Sequence, residues 1–155
     1  HIAESALTQE QELAIEMKDA QILQDSLLKL EGNKIDENSV AMLDATGIAA
    51  GKKLYDMNCV ACHGDKGQGG VGPNMTDNYW IHGGSIKDVF KSIKYGWVEK
   101  GMKSWKDDFS PTQIAQLSSY VESLKGTNPP GAKEKQGELY VEEAVATVTD
   151  STKAK

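Results

Sequence analysis

Two cysteines and a histidine lie within five consecutive residues, Cys59-Val60-Ala61-Cys62-His63, and the chain has no other cysteine. Two thiols at this spacing can reach the two vinyl groups along one edge of a porphyrin, and the histidine that follows can then ligate the iron. Two thioether bonds would replace the affinity that a non-covalent haem must obtain from burial. The pattern therefore predicts one covalent haem c, attached through Cys59 and Cys62, with His63 as the proximal iron ligand.

Three other kinds of site stay open as alternatives for these residues. A redox-active pair of cysteines is typical of a βαβ unit, and strand signals are nearly absent from this chain. A structural zinc site needs four ligands, and the histidines available to complete one are His1, His63 and His82. The third alternative is a plain disulfide between Cys59 and Cys62.

Methionine commonly ligates haem iron opposite histidine in electron-transfer proteins, where it raises the reduction potential. Of the five methionines, Met57 is too close to the attachment motif to reach the other haem face, and Met17 and Met42 lie in helical patterns typical of core packing. Met102 lies in an irregular loop before the last predicted helix, and such a loop can close over the haem. We predict Met102 as the sixth ligand, with three alternatives: Met75, His82 or an open, enzyme-like iron.

Two further residues are expected to contact the cofactor or its ligand. The second ring nitrogen of His63 needs an acceptor, and a carbonyl of the Gly72-Pro73 turn could provide it; alternatively, this is a simple turn without a haem role. All 17 basic residues are lysines, so no guanidinium group can clamp a carboxylate. Haem propionates must be held by Lys, Trp, Tyr or backbone groups, and we include Trp105 among the expected haem contacts.

An acidic helical extension is predicted over residues 1–44, which hold 10 acidic residues and 3 lysines. Its helix, over 8–31, begins with a capping box at Thr8 and Gln11 and stops at Gly32. The helix carries an apolar stripe, which we expect to pack on the domain; a docking helix or a membrane stalk is the alternative. The stripe consists of Leu13, Met17, Ala20, Leu23, Leu27 and Leu30.

The haem domain is predicted over residues 45–126 and contains three helices. Thr46 is the expected cap of the first, Ser85 begins the second, which ends at Gly96, and Ser110 begins the third with Pro111 in its first turn. Gly51 and Tyr55 of the first helix are expected to meet Tyr120 of the last at a close crossing. Residues 127–155 are predicted to form a surface or partly disordered tail.

Composition and hydropathy argue against nucleic-acid binding and against a membrane-spanning segment in this sequence. The formal net charge is −6 at pH 7, so the global basic field of a nucleic-acid-binding protein is absent. No apolar run approaches the roughly 18 residues of a membrane span, and no signal-peptide segment is visible. Because the sequence begins with His1, we expect a processed or truncated product.

Taken together, the attachment motif, the Gly-Pro turn, the methionine loop and the flanking helices resemble class I c-type cytochrome domains. Over about residues 45–140 the sequence is similar to the cytochrome c subunit, subunit III, of cbb3-type cytochrome c oxidases. That subunit usually has two haem sites and a membrane anchor, a proline after the methionine and a leucine after Gly-Pro-Asn; here Lys103 and Met75 take the last two places. The similar segments are Gly72 to Gly84, Ile93-Lys94-Tyr95-Gly96, Gly101-Met102-Lys103-Ser104-Trp105 and Gly126-Thr127-Asn128-Pro129-Pro130.

The resemblance implies an all-α class I cytochrome c fold, with Cys59 and Cys62 binding haem and with His63 and Met102 as axial ligands. It also implies an electron-transfer domain rather than an enzyme. Its partners would be a donor cytochrome or quinol-oxidising complex and the haem–copper catalytic subunit as acceptor, on the periplasmic side of the membrane. The alternatives are a free-standing soluble cytochrome c shuttle and, less favoured, a haem peroxidase or sensor.

Overall fold

The computed structural model describes residues 8–32 and 34–142, and within these ranges the protein is mostly α-helical, as predicted. His1 lies outside the described residues. Within the described residues, two short antiparallel strands pair, with Tyr79 opposite Leu139 and Trp80 opposite Glu138. The elements are α1 (Gln9–Gly32), α2 (Ala45–Asn58), α3 (Val60–His63), β1 (Tyr79–Trp80), α4 (Ile86–Tyr95), a 3₁₀ turn (Val98–Lys100), α5 (Pro111–Ser123) and β2 (Glu138–Leu139).

The core forms where α2 crosses α5. Gly51 lies so close to α5 that a Cβ there would be 2.0 Å from the carbonyl oxygen of Gln116. The ring of Tyr55 is completely buried and lies 5.1 Å from the ring of Tyr120. This confirms the predicted crossing, and it fixes the direction in which α2 delivers its C-terminal end to the cysteine motif.

Helix caps follow the sequence signals with one exception. Ser85 forms a capping box with Asp88 at the start of α4, and Ser110 forms one with Gln113 at the start of α5. The expectation that Thr46 caps α2 is wrong, because the carboxylate of Asp44 accepts a hydrogen bond from the Gly47 N–H at 2.9 Å. A carboxylate two residues earlier satisfies the free N–H groups, so Thr46 falls inside the first turn.

The predicted apolar stripe of α1 does not pack on the domain. Leu13, Met17, Leu23 and Leu30 are 57 to 66% exposed, so this interpretation is wrong for them; the side chain of Leu27 lies outside the described ones. The docking and stalk interpretations of this helix stay predictions.

The residues between α1 and α2 pack on the domain. Val40 is 4% exposed, and the Leu43 N–H donates to the hydroxyl of Ser119 at 3.0 Å. The Glu37 carboxylate accepts hydrogen bonds from the Lys94 ammonium at 2.9 Å and the Tyr95 hydroxyl at 3.0 Å. The packed domain therefore begins before residue 45.

The described part of the C-terminal tail, residues 127–142, lies on the surface and is hydrogen-bonded to the domain. Besides the β1–β2 pair, the Tyr140 N–H donates to the carbonyl of Asn78 at 2.8 Å. The Lys133 N–H donates to the carbonyl of Gln68 at 2.8 Å. Within the described ranges, no helix is both long and apolar enough to cross a membrane.

Candidate haem site

The two cysteines lie on either side of a change in helix direction. Cys59 is the C-cap of α2, where its N–H donates to the carbonyl of Tyr55 at 2.9 Å, and the single turn α3 follows. The Cys59 side chain is half-buried, that of Cys62 is exposed, and both thiols are free. Burial, and to a lesser extent the charge of Cys62, raises the pKa of the Cys59 thiol to about 11. The two thiols are not joined by a disulfide in the structure.

The imidazole of His63 is held in the way the sequence predicted. Its Nδ1 lies 3.2 Å from the carbonyl oxygen of Pro73, and since a carbonyl can only accept, Nδ1 carries the proton. Nε2 is then left with a lone pair suited to a metal. Burial lowers the pKa of His63, the Pro73 hydrogen bond opposes this shift, and the charge of Lys133 adds to it.

Gly72 forms the floor under this imidazole. A Cβ at Gly72 would lie 2.6 Å from Cε1, 2.8 Å from Nδ1 and 3.0 Å from Nε2 of His63. Backbone hydrogen bonds hold the floor to α3: Gly72 N–H to the Cys62 carbonyl at 2.8 Å, and Gly69 N–H to the His63 carbonyl at 2.8 Å. The ring therefore lies in a cradle that only glycine permits.

The methionine loop is fastened to the C-terminal end of α4. Trp97 and Met102 exchange two backbone hydrogen bonds, of 2.8 and 3.1 Å, across a turn that Gly101 closes in the left-handed conformation with φ 88°. The Ser104 hydroxyl donates to the carbonyl of Lys94 at 2.7 Å. Met102 is half-buried and packs against the core.

His82, one of the alternative iron ligands, is stacked on the indole of Trp97. The ring centroids are 3.4 Å apart and the planes differ by 8°. The indole N–H of Trp97 also donates to the Ser92 hydroxyl at 3.2 Å. His82 thus packs against the residue whose backbone holds Met102.

Trp105 closes the methionine loop. Its N–H donates to the carbonyl of Ile93 at 3.2 Å, and its ring stacks on Phe109 with centroids 5.1 Å apart. The Lys103 ammonium lies 4.5 Å from the Trp105 ring centroid and pairs with Asp108 at 3.0 Å. The side chain of Trp105 is half-buried.

The six predicted site residues fall into two groups. Cys59, Cys62, His63 and Pro73 form one connected unit, whereas Met102 and Trp105 lie on the loop after α4. The groups share the core, against which Cys59, Met102 and Trp105 all pack while remaining partly exposed. Met75, the other methionine candidate, is 8% exposed and belongs to the core.

The cysteine and histidine motif suggests two kinds of metal group, a zinc ion and a covalent haem. Among the described residues, no cluster of three or more His, Cys, Asp or Glu side chains could hold a metal ion. A covalent haem fits, because it needs two free thiols and one imidazole nitrogen, and the Gly72 cradle with the Pro73 carbonyl presents that imidazole in a single tautomer.

Two contributors to this region carried no recognisable sequence signal. Lys133 reaches the Gly72 turn from the tail, with its ammonium 3.1 Å from the carbonyl of Gly70 and 3.5 Å from that of Gly72. The stacked pair of His82 and Trp97 is the second. Neither could be found from spacing, because each depends on segments that only the fold brings together.

Comparison with known proteins gives a consistent result. Residues 46–121 match the family model described as cytochrome C oxidase, cbb3-type, subunit III. The subunit FixP of the cbb3-type oxidase from Bradyrhizobium sp. (strain ORS 278) is 41% identical over 81 residues, which cover 50% of this chain and 28% of that protein. The subunit CcoP from Rhodobacter capsulatus is 35% identical over 116 residues, which cover 63% of this chain and 38% of that protein.

A solved structure supports the same fold. A chain of the reducing HAO-like protein complex from Kuenenia stuttgartiensis is similar with a TM-score of 0.53 and 27% identity, covering 59% of this chain and 49% of that one. The chain spans 28% and 38% of the length of the two oxidase relatives.

Proposed function

Because residues 46–121 form a class I c-type cytochrome domain of the cbb3-type oxidase subunit III family, we propose that this chain transfers single electrons through one covalently bound haem c. The observation that carries the proposal is the arrangement of two free thiols beside an imidazole whose Nδ1 is bound to the Pro73 carbonyl. The domain performs no bond chemistry of its own on a substrate. When bound, the haem supplies an iron that gains and loses one electron.

The residues around the cofactor have separate roles in this proposal. Cys59 and Cys62 would bind the haem covalently, and His63, its ring fixed by Gly72 and Pro73, would be one iron ligand. Met102 would be the other. A loop fastened at both Trp97 and Ser104 limits how far the methionine sulfur can move between the two oxidation states, and small movement favours fast electron transfer.

Trp105 has a covering role in the proposal. Its half-buried ring, braced by Phe109, would exclude water from the methionine side of the cofactor. Exclusion of water strengthens the electrostatic interactions of the iron with its surroundings.

The partners follow from the relatives, whose printed names make them subunits of cbb3-type cytochrome c oxidases. We infer that this domain belongs to such an oxidase complex. It would receive electrons from a donor cytochrome or quinol-oxidising complex and pass them to the haem–copper catalytic subunit. Its place is the periplasmic side of the cytoplasmic membrane, and any membrane attachment would come from an anchor outside these 155 residues.

Covalent attachment is tested by extraction. After acid–acetone treatment, the haem of the wild-type protein should remain with the polypeptide, because thioether bonds resist acid. Cys59→Ala and Cys62→Ala should each alter the haemochrome spectrum, and the double variant should release its haem. Met57→Ala, which changes an exposed side chain close to the motif, is the control. Colour that moves into the solvent from the wild-type protein would refute the proposal.

The sixth ligand is tested with a matched pair of substitutions. Met102→Leu should abolish the methionine–iron charge-transfer band and lower the reduction potential, because no thioether remains to favour the ferrous state. It should also let carbon monoxide bind the ferrous iron, because the sixth coordination position is then open. Met75→Leu makes the same side-chain change at the other candidate and should keep the band. Loss of the band only in Met75→Leu would reverse the assignment.

A further inference from the structure

We propose that Lys133, in the C-terminal tail beyond the matched domain, is a positioning residue for the proximal haem ligand. The inference rests on the proposed function, since it assumes that His63 ligates iron. Four hydrogen-bonding contacts of Lys133, made by its N–H, its carbonyl and its ammonium, all reach the loop of residues 68–74 that carries Gly72 and Pro73.

The backbone of Lys133 joins the two ends of that loop. Its N–H donates to the carbonyl of Gln68 at 2.8 Å, and its carbonyl accepts from the side-chain amide of Asn74 at 3.0 Å. The same Asn74 side chain accepts hydrogen bonds from the backbone N–H of Thr76 at 2.9 Å and from its hydroxyl at 2.6 Å. Asn74 and Thr76 are buried, so the tail is anchored to the inner part of the domain.

The ammonium of Lys133 binds the middle of the loop. It lies 3.1 Å from the carbonyl oxygen of Gly70 and 3.5 Å from that of Gly72. Gly72 is the floor under the His63 ring, and the next residue, Pro73, provides the carbonyl that holds Nδ1. Lys133 therefore holds the peptide unit between Gly72, which lies under the His63 ring, and Pro73, whose carbonyl accepts the hydrogen bond from that ring.

Two consequences follow, and they can be separated. The tether restricts the Gly72-Pro73 unit, which keeps the His63 hydrogen bond short and the imidazole in one orientation. The positive charge, near the proximal side, disfavours the additional positive charge of ferric iron, so it raises the reduction potential.

The test compares three substitutions in the haem-loaded protein. Lys133→Met removes the charge and the two ammonium contacts with Gly70 and Gly72 but keeps the backbone contacts. Lys133→Arg keeps the charge and can still donate to both carbonyls. Lys135→Met removes a lysine of the same tail whose ammonium lies 4.7 Å from the centroid of the Tyr79 ring. The measurements are the reduction potential and the hydrogen exchange of the Gly72 and Gly69 amides.

Lys133→Met should lower the potential and accelerate exchange of the Gly72 amide about tenfold, as expected for the loss of hydrogen bonds from a charged donor. Lys133→Arg should restore the potential and most of the protection, and Lys135→Met should change neither. The inference would be overturned if Lys133→Met had the same reduction potential and amide exchange rates as Lys135→Met. It would also be overturned if Lys133→Met exchanged faster but kept the wild-type reduction potential. Failure of the proposed function is distinct, because the wild-type protein would then lack covalent haem.

Discussion

Gly72→Ala tests whether the cradle under His63 is needed for the stability of the site. The new Cβ would lie 2.6 Å from Cε1 of the ring, whereas ordinary contacts begin near 3.4 Å. The ring would have to retreat by about 0.8 Å, the difference between these two values. The hydrogen bond from Nδ1 to Pro73 is already 3.2 Å long, at the end of the usual range, so the retreat would break it.

The expected cost combines two effects. Overpacking costs about 1–3 kcal/mol, and loss of the hydrogen bond adds about 1 kcal/mol. We therefore expect the free energy of unfolding to fall by about 2–4 kcal/mol, which lowers the melting temperature by about 4 °C or more for a chain of this size. Guanidinium unfolding of the haem-loaded protein, followed by haem absorbance and by tryptophan fluorescence, measures the loss.

The control for this prediction is Gly70→Ala in the same loop. There a Cβ would meet only the carbonyl oxygen of Cys62, at 3.2 Å, so a small adjustment suffices. Both substitutions stiffen the unfolded chain equally, and their difference isolates the contact with His63. Equal stability of the two variants would refute the argument that the ring rests on Gly72.

Three further predictions concern the core, the pH response and the surface. Tyr55→Phe should lower the free energy of unfolding by about 0.5–1.5 kcal/mol, because it removes the hydrogen bond of 2.8 Å from the Tyr55 hydroxyl to the Gly64 carbonyl. That carbonyl keeps its hydrogen bond from the Gly67 N–H at 3.2 Å; chemical denaturation measures the loss. Burial and, to a lesser extent, the charge of Lys100 lower the pKa of His82 below 6.5. As the pH falls, the unfolded chain therefore binds the proton before the folded chain does, and the free energy of unfolding should decrease from pH 6.5 down to the pKa of the folded state. Unfolding experiments at several pH values measure this decrease. Charge reversal at Lys100 and Lys103 should lower the rate of electron exchange with an acidic partner at low salt. Added salt should lower the same rate for the wild-type protein, because the Debye length is only about 8 Å at physiological ionic strength. Stopped-flow kinetics measures both rates.

Each of these has a control in the chain. Tyr120→Phe removes a hydroxyl for which no hydrogen bond is found among the described residues, and it should cost little. His82→Phe keeps an aromatic ring on Trp97 but cannot titrate, so its stability should lose the pH dependence assigned to His82. Lys103 already pairs with Asp108, so reversal of Lys100 should have the larger effect. Electron exchange that depends neither on salt nor on the two charge reversals would contradict a role for Lys100 and Lys103 in meeting an acidic partner.

The chemistry of the site could be predicted because it is local. Cys59, Cys62 and His63 lie within five residues, and residues 60–63 form a single helical turn in the structure. The acceptor for Nδ1 was also within reach, since a Gly-Pro turn ten residues further on has few conformations. The caps of α4 and α5 were predictable for the same reason: a capping box satisfies the N–H groups of its own first turn.

The elements that were missed depend on which distant surfaces meet. An apolar stripe shows that α1 has an apolar side, but four of its residues are exposed, whereas Val40 and the Glu37–Lys94 ion pair of the following segment pack on the domain. The tail offered only polar residues of weak pattern, and β2 exists because Tyr79 and Trp80 present a strand edge to it.

The sequence by itself thus determined the motif on which the proposed haem attachment rests, the helical class and the ends of two helices, because these depend on residues within one or two turns of each other. Only the tertiary structure decided that Lys133 holds the floor under His63 and that His82 braces Trp97 behind Met102. These contacts join segments far apart in the chain. Whether such segments meet depends on packing and loop closure across the whole domain, which no spacing within the sequence records.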